Sequence, residues 1–382
     1  MIAYLVFEDG RIFEGESWGF IGETFGEAVF ATGMTGYQET MTDPSYCGQI
    51  VVMTAPHIGN TGVNGEDNES KKMWVSGFVS RDPSPIVSNW RADSSLEDEM
   101  KRQGIIGISG VDTRAITRHI RSRGSMKSGI FSGLGKTTDQ MIEMVRSSAS
   151  ISSARLTDVV TTKERYVVSP PPGKSTEFKV VALDFGIKSA TPKNLADRGV
   201  EVHVLPTTLD AFDALEEIKL LNPDGFFMSN GPGDPARAQD EIQLIKKVLA
   251  LRIPVFGICF GHQVLGRALG LETYKLKFGH RGINQPVLNT STKKVEITAQ
   301  NHGFALSIPG GNHFDTLFGP GEVTHVSLND GVVEGIRLVD WPAFSVQYHP
   351  EAAAGPHDSS YLFDDFISMM RTEREKKNAQ KL

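Results

Sequence analysis

Short apolar runs alternate with helical patterns through the second half of the chain. The runs typical of buried strands are Lys179–Leu183, Glu201–Leu205, Gly225–Ser229 and Pro254–Ile258. A stretch with apolar residues at helical spacing follows each of them, at Ser189–Arg198, Ala211–Leu220, Pro235–Leu251 and Phe260–Leu269. This alternation predicts an α/β fold with βαβ units and a mostly parallel open sheet flanked by helices.

The third of these helices has the clearest signals. Asp234 can cap its N-terminus and Pro235 suits the first turn. Ile242, Ile245 and Leu249 then recur on one face. We therefore expect the helix to begin directly after Asp234.

The first half of the chain is richer in strand patterns. Its predicted strands are Ala3–Phe7, Arg11–Glu14, Ala28–Ala31 and Ile50–Thr54, and a helix is predicted at Asp112–Arg121. Strands and turns return after residue 282, and Tyr361–Leu382 is predicted to be a helix. The Pro-, Gly- and Ser-rich stretch 169–175 has the composition of a linker. We expect a mixed α/β N-terminal domain over 1–150, a linker over 151–177 and a second domain over 178–382.

Composition narrows the class of protein. Charged residues make up 22% of the 382 residues, close to the roughly 25% of globular chains, which excludes a predominantly disordered protein. The net charge of −7 disfavours general binding to nucleic acid or anionic membranes. The sequence contains no run of about 18 apolar residues, so it predicts no transmembrane helix. Because two cysteines cannot form a disulfide framework or a cysteine zinc site, we expect a reducing, cytoplasmic location.

The segment Gly257-Ile258-Cys259-Phe260-Gly261 lies where a predicted strand meets a predicted helix. A nucleophile between small residues in this position is typical of a nucleophile elbow, here with Cys in place of Ser. The glycines permit a sharp turn that exposes the sulfur. The helix N-terminus favours a thiolate and offers backbone N–H groups to an oxyanion. The structural alternative is a buried cysteine in a tight turn.

A second motif, Val346-Gln347-Tyr348-His349-Pro350-Glu351, lies near the C-terminus. A thiolate nucleophile needs a base, and the base needs an orienting group. Because Pro350 favours extended backbone before it, His349 and Glu351 are expected on one face. Cys259, His349 and Glu351 are therefore a candidate triad. The alternative is a strand-end histidine beside a solvated glutamate. The other histidines show no metal-ligand spacing, and we expect no metal in this chain.

A third motif, Ser229-Asn230-Gly231-Pro232-Gly233-Asp234-Pro235, follows a strand and precedes a helix. Such a turn can expose backbone N–H groups to an anion, or can simply lead into the helix. It lacks the Gly-Lys-Ser/Thr of a phosphate-binding loop. The Gly-Lys-Ser/Thr triplets at 135–137 and 173–175 lack the upstream glycine and the strand-to-helix setting. We therefore expect no nucleotide or other cofactor in this chain.

Together, in this order, the three motifs resemble the class I, triad-type glutamine amidotransferases. Further segments narrow the resemblance to the small subunits of carbamoyl phosphate synthetase, a branch with a separate N-terminal domain. These segments are Thr35–Tyr46, Pro56–Asn60, Asp112–Arg114, Phe260–Gln263, Lys277–His280 and Thr298–Ala305. The resemblance extends from about Leu5 to about Phe366.

The resemblance implies a role for individual residues. Cys259 corresponds to the nucleophile, His349 to the base and Glu351 to the third member of the triad. The residues implied to bind glutamine are Ser45 of the N-terminal domain, Gly231, Gly233, Phe260, Gln263, Asn301, Gly303 and Phe304. Phe260 stands where Leu is common, and its contact is expected from the backbone N–H. The stretch 186–193 and Tyr348 depart from the family pattern, and we expect neither to touch a catalytic role.

The resemblance also implies a function. The chain would be a glutaminase subunit that releases glutamate and ammonia through a thioester on Cys259. A large subunit would use this ammonia with ATP, Mg²⁺ and bicarbonate to make carbamoyl phosphate for arginine and pyrimidine biosynthesis. Residues 1–150 would dock that subunit in a heterodimer, and no nucleic-acid or membrane partner is expected. The alternatives are an amidotransferase subunit of another synthetase and a non-catalytic scaffold homologue.

Overall fold

The computed structural model describes residues 1–133, 135–308 and 311–380. The chain forms two compact units. The first comprises Met1–Leu156 and Leu276–Gly282, and the second comprises Thr157–Lys275 and Ile283–Leu382. Within the described residues, no helix is both long enough and apolar enough to cross a membrane.

The first unit is built mainly from strands. Its strands are β1 (Ile2–Phe7), β2 (Ile12–Gly19), β3 (Glu23–Ala31), β4 (Gln49–Met53), β5 (His57–Ile58), β6 (Gly77–Val79), β7 (Asp82–Pro83), β8 (Ile106–Ser109) and β9 (Met126–Ser132). Its α-helices are α1 (Tyr37–Thr42), α2 (Leu96–Gln103), α3 (Thr113–Arg123) and α4 (Thr138–Ser147), and short 3₁₀ turns lie at Pro44–Tyr46 and Ile151–Ser153.

The strands of this unit close into a barrel in the order β1-β2-β8-β6-β4-β3-β9, and β5 pairs with β7 separately. Alternate residues on each strand enter different cores. Ile50 and Val52 of β4 pack with Leu5 and other barrel residues, whereas Val51 packs in a second core that includes residues of α1 and α2. The sequence predicts strand-rich α/β structure here, which is confirmed, but it does not predict closure of the barrel.

The second unit combines strands with longer helices. Its strands are β10 (Tyr166–Val168), β11 (Phe178–Asp184), β12 (Val200–Pro206), β13 (Gly225–Met228), β14 (Val255–Ile258), β15 (Glu272–Asn289), β16 (Val295–Ser307), β17 (His313–Thr316), β18 (Gly319–Ser327), β19 (Val333–Leu338) and β20 (Ala343–Val346). The middle of β15, Leu276–Gly282, belongs to the first unit. Its helices are α5 (Thr157–Val160), α6 (Ala190–Ala196), α7 (Ala211–Leu221), α8 (Gln239–Ala250), α9 (Phe260–Ala268) and α10 (Tyr361–Ala379).

The sheet of the second unit has the strand order β10-β12-β11-β13-β14-β20-β19-β18-β15-β16, with β17 paired to β18. From β12 to β20 each neighbouring pair is parallel, which confirms the predicted parallel core. The pairs of β10 with β12 and of β18 and β19 with their neighbours are antiparallel. Val181 and Leu183 of β11 pack toward one core and Val180 and Ala182 toward the other, because both faces are covered by helices.

Two local expectations differ from the structure. The segment 151–177, expected to be a linker, contains α5 and β10, and Tyr166–Val168 pairs with β12, which supplies hydrogen-bond partners to that edge. The helix expected directly after Asp234 begins later: Asp234 caps the 3₁₀ turn Pro235–Arg237 by accepting from Ala236 N at 2.9 Å, and α8 follows at Gln239. The predicted end of the last helix, 381–382, lies outside the described residues.

Candidate active site

The candidate triad lies at the carboxyl edge of the parallel strands. Gly257 of β14 is aligned with Met228 of β13 on one side and with Ser345 of β20 on the other. The segments that follow these three strands, which carry the glycine turn, Cys259 and His349, therefore lie next to one another. Open α/β sheets bind their ligands at this edge.

Cys259 occupies a strained turn between β14 and α9. Its φ of 54° and ψ of −101° are rare for a residue with a side chain. A Cβ on Gly257 would lie 2.9 Å from the backbone of Gly261, and a Cβ on Gly261 would lie 2.3 Å from Met228 O. Both positions therefore require glycine, as the nucleophile elbow predicts. The Cys259 thiol donates to Asn301 O at 3.6 Å and is buried.

His349 and Glu351 form a buried pair beyond the end of β20. The backbone N–H of His349 donates to Ala299 O at 2.9 Å, which holds its main chain against β16. Nδ1 of the imidazole bonds to Glu351 Oε1 at 2.7 Å, and the two side chains are 2% and 0% exposed. This is the base-and-orienter arrangement that a thiol nucleophile needs.

The electrostatics of the pair favour imidazolium and carboxylate. Burial and the Lys188 ammonium lower the pKa of His349, whereas Glu351 and Cys259 raise it, and the net pKa lies above the ordinary histidine value. Burial raises the pKa of Glu351, but His349 and Lys188 lower it more, so this carboxyl stays ionised. Burial lowers the pKa of the nearby His262 to about 3, so His262 is neutral and does not compete as a base.

Lys188 is a site residue that the sequence did not identify. Asp184, at the end of β11, accepts from the backbone N–H groups of Gly186 and Ile187 at 2.8 and 2.7 Å, and these bonds shape the loop that carries Lys188. The Nζ atom of Lys188 lies 3.6 Å from Glu351 Oε1, and the Lys188 side chain is 7% exposed. We expected 186–193 not to touch a catalytic role, but Lys188 of this stretch contacts Glu351 of the candidate triad. One sequence signal could have identified Lys188: it follows directly after a predicted parallel strand and so lies at the same edge of the sheet as the triad.

Most residues implied to bind glutamine gather in the second unit. Asn301, Gly303 and Phe304 lie on β16, where Asn301 O accepts from the Cys259 thiol, and the amide of Gln263 donates to Phe304 O at 2.9 Å. Buried Asn301 Nδ2 makes no hydrogen bond within the described part of the chain, so it is a donor available to a ligand. Ser45 lies in the first unit, on a buried 3₁₀ turn where its N–H donates to Asp43 Oδ1 at 2.8 Å.

Phe260 and the glycine turn offer main-chain groups. The ring of Phe260 packs into the core 5.1 Å from the ring of Phe185, so its N–H at the first position of α9, rather than its side chain, can serve the site. Gly231 and Gly233 lie on the turn after β13. Ser229 O, at the start of this turn, accepts from Gly261 N at 3.0 Å and so links it to the elbow.

A sheet with a nucleophile elbow, a buried His–Glu pair and an adjacent glycine turn defines a class of protein. Residues 181–369 match the family model described as glutamine amidotransferase class-I. Residues 5–130 match a second model, described as carbamoyl-phosphate synthase small chain, CPSase domain. The second unit therefore has the class I amidotransferase fold.

Similar whole chains define the family more narrowly. A carbamoyl phosphate synthase small chain from Streptomyces avermitilis is 59% identical over 97% of each chain. One from Mycobacterium tuberculosis is 59% identical over 97% of this chain and 99% of its own. One from Bifidobacterium longum is 55% identical over 97% of this chain and 94% of its own. The chain belongs to the carbamoyl phosphate synthase small chain family, which confirms the resemblance drawn from the motifs.

Proposed function

We propose that this chain is the glutamine-hydrolysing subunit of a carbamoyl phosphate synthase. The observation that carries the proposal is the buried Cys259–His349–Glu351 arrangement at the carboxyl edge of the sheet. The family match supports the same activity. A scaffold homologue would have no need for a strained cysteine turn or for an ionised pair kept out of water.

In the proposed reaction His349 has accepted the Cys259 thiol proton, so a thiolate lies beside the imidazolium before glutamine is attacked. The thiolate attacks the side-chain amide carbon of glutamine. The backbone N–H of Phe260 and the turn Gly231–Gly233 stabilise the oxyanion, and loss of one such donor typically costs about 10²–10³ in rate. His349 then protonates the leaving ammonia, and the C–N bond breaks to leave a γ-glutamyl thioester. Water activated by His349 hydrolyses the thioester and releases glutamate.

Glutamine recognition is assigned to the residues that the resemblance implies, one in the first unit and the others in the second. We assign binding roles to Ser45, Gly231, Gly233, Phe260, Gln263, Asn301, Gly303 and Phe304. The unpaired Asn301 Nδ2 supports this assignment, because a buried amide donor without a partner is costly unless a ligand satisfies it.

The ammonia is proposed to pass to a large chain that binds ATP and Mg²⁺ and uses bicarbonate to make carbamoyl phosphate. The relatives are named as small chains, which supports the presence of such a partner. We propose that residues 1–150 dock it in a heterodimer, and that the product serves arginine and pyrimidine biosynthesis. Both cysteines are free and buried, which suits the reducing cytoplasm.

The test uses the complex of this chain with its large chain. Wild type, Cys259→Ser and Cys47→Ser are compared for carbamoyl phosphate formation with glutamine or with ammonium as the nitrogen source. We expect Cys259→Ser to lose glutamine-dependent synthesis and keep ammonium-dependent synthesis, while Cys47→Ser resembles wild type. Glutamine-dependent synthesis that survives in Cys259→Ser would overturn the proposed nucleophile. A wild-type complex active only with ammonium would favour a scaffold role.

A further inference from the structure

A second buried polar cluster, centred on Glu296 of β16, lies in the same unit as the triad. Glu296 Oε1 accepts from Tyr361 Oη at 2.8 Å and from Asn289 Nδ2 at 3.4 Å. Glu296 Oε2 accepts from Tyr348 Oη at 3.5 Å. Tyr348 is fully buried and Glu296 is 7% exposed. Neither belongs to the reaction described above.

Both tyrosines act as hydrogen-bond donors to this carboxylate. Burial and the negative charge of Glu296 raise the pKa of Tyr348 well above its ordinary value. Burial and the hydrogen bond to Glu296 raise the pKa of Tyr361 as well. The hydroxyls of both tyrosines therefore stay protonated and remain hydrogen-bond donors to Glu296.

The cluster is connected to the catalytic groups through β16. Tyr348 directly precedes His349, and the N–H of His349 donates to Ala299 O on β16, three residues after Glu296. Asn301 O, two residues further along the same strand, accepts from the Cys259 thiol at 3.6 Å. One strand thus contacts the nucleophile, the main chain of the base and the side chain that precedes the base.

We propose that Glu296 is a positioning residue for the glutaminase reaction. By holding the hydroxyl of Tyr348 while Ala299 holds the peptide of His349, it fixes the segment that carries the base relative to Cys259. Tyr361, at the first turn of α10, fixes the orientation of the Glu296 carboxylate in turn. The inference rests on the proposed function. It also assigns a role to Tyr348, which departs from the family pattern at this position.

The test uses the full complex carrying Glu296→Gln or Tyr361→Phe. We expect kcat for glutamine hydrolysis to fall about tenfold in Glu296→Gln, as loss of one hydrogen bond to a charged group predicts, with KM within about twofold of wild type. The kcat of Tyr361→Phe for glutamine hydrolysis should also fall. Ammonium-dependent synthesis should not change in either variant. Glu241→Gln on α8 is the matched control, since Glu241 is buried to a similar degree, at 4% exposed.

A second measurement separates positioning from stability. Alkylation of Cys259 by iodoacetamide is followed by mass spectrometry at pH 6 and pH 9. Because reactivity of the thiol depends on the position of His349, we expect the alkylation rate at pH 6 relative to pH 9 to fall about tenfold in Glu296→Gln and to stay constant in Glu241→Gln. A lower melting temperature with unchanged kcat and alkylation ratio would overturn the proposal. Alkylation needs no turnover, so it tests the positioning role even if the wild-type complex hydrolyses no glutamine. An inactive wild-type complex would contradict the proposed function and not the positioning role.

Discussion

The hydrogen bond between His349 and Glu351 provides the sharpest test of the triad. Glu351→Gln keeps the size of the side chain and removes its charge. In the wild type the Nδ1–Oε1 distance is 2.7 Å, and both side chains are almost completely buried. Solvent therefore cannot replace the lost bond, and a glutamine amide nitrogen turned toward Nδ1 would stabilise the wrong tautomer.

The expected magnitude follows from the strength of this bond. A hydrogen bond to a charged group contributes about 1.5–3 kcal/mol, which corresponds to a roughly 10- to 150-fold loss in kcat. The pH profile should change as well. The carboxylate of Glu351 raises the pKa of His349, whereas burial and Lys188 lower it. Replacing Glu351 by the neutral glutamine therefore lowers the pKa of His349. The imidazolium that protonates ammonia then loses its proton at a lower pH, so the alkaline limb of the kcat/KM profile moves to lower pH.

The assay is glutamate release by the complex across pH 6 to 10. Glu201→Gln is the matched control, because His203 and Glu201 have the same spacing and the same 2.7 Å bond on β12, where both are partly exposed. We expect this control to keep wild-type kcat. Equal kcat and an unshifted alkaline limb in Glu351→Gln would refute the assignment of Glu351 as the orienting residue.

Three further substitutions test other parts of the structure. Lys188→Met removes an ammonium that lowers the pKa of His349, so the alkaline limb of kcat/KM should move to higher pH; a shift to lower pH would contradict this electrostatic role. Gly261→Ala places a Cβ 2.3 Å from a carbonyl oxygen of β13, and urea unfolding should show a loss of about 1–3 kcal/mol. Gly65→Ala, which meets nothing within 4 Å, is the control, and an equal loss in both would be inconsistent with the clash. Asp112→Ala removes the N-cap of α3 and should cost about 1 kcal/mol of unfolding free energy with unchanged glutaminase activity; an unchanged unfolding midpoint would argue against the cap.

The sequence predicts the parts of the site that depend on local turn chemistry. The elbow around Cys259 was predictable because glycines on both sides are needed where the backbone passes Met228 O. The pairing of His349 with Glu351 followed from the extended backbone before proline. The mostly parallel arrangement of the core followed from the alternation of apolar runs with helical patterns, although the order of its strands did not.

Features that depend on long-range packing were not predictable. Lys188 approaches Glu351 only because β11 ends at the same sheet edge as β20, which chain spacing does not reveal. The contact of Tyr348 with Glu296 depends on the fold across 52 residues. The start of α8 was misplaced because an Asp–Pro pair caps a 3₁₀ turn as readily as an α-helix.

The central claim is that Cys259 forms a covalent intermediate with glutamine. Acid quenching of the complex during turnover of labelled glutamine, followed by mass spectrometry of the cysteine peptides, tests it directly. The account predicts a glutamyl thioester on the Cys259 peptide of wild type, none in Cys259→Ser, and none on Cys47 in either protein. Release of labelled glutamate by the Cys259→Ser complex at the wild-type rate would contradict it.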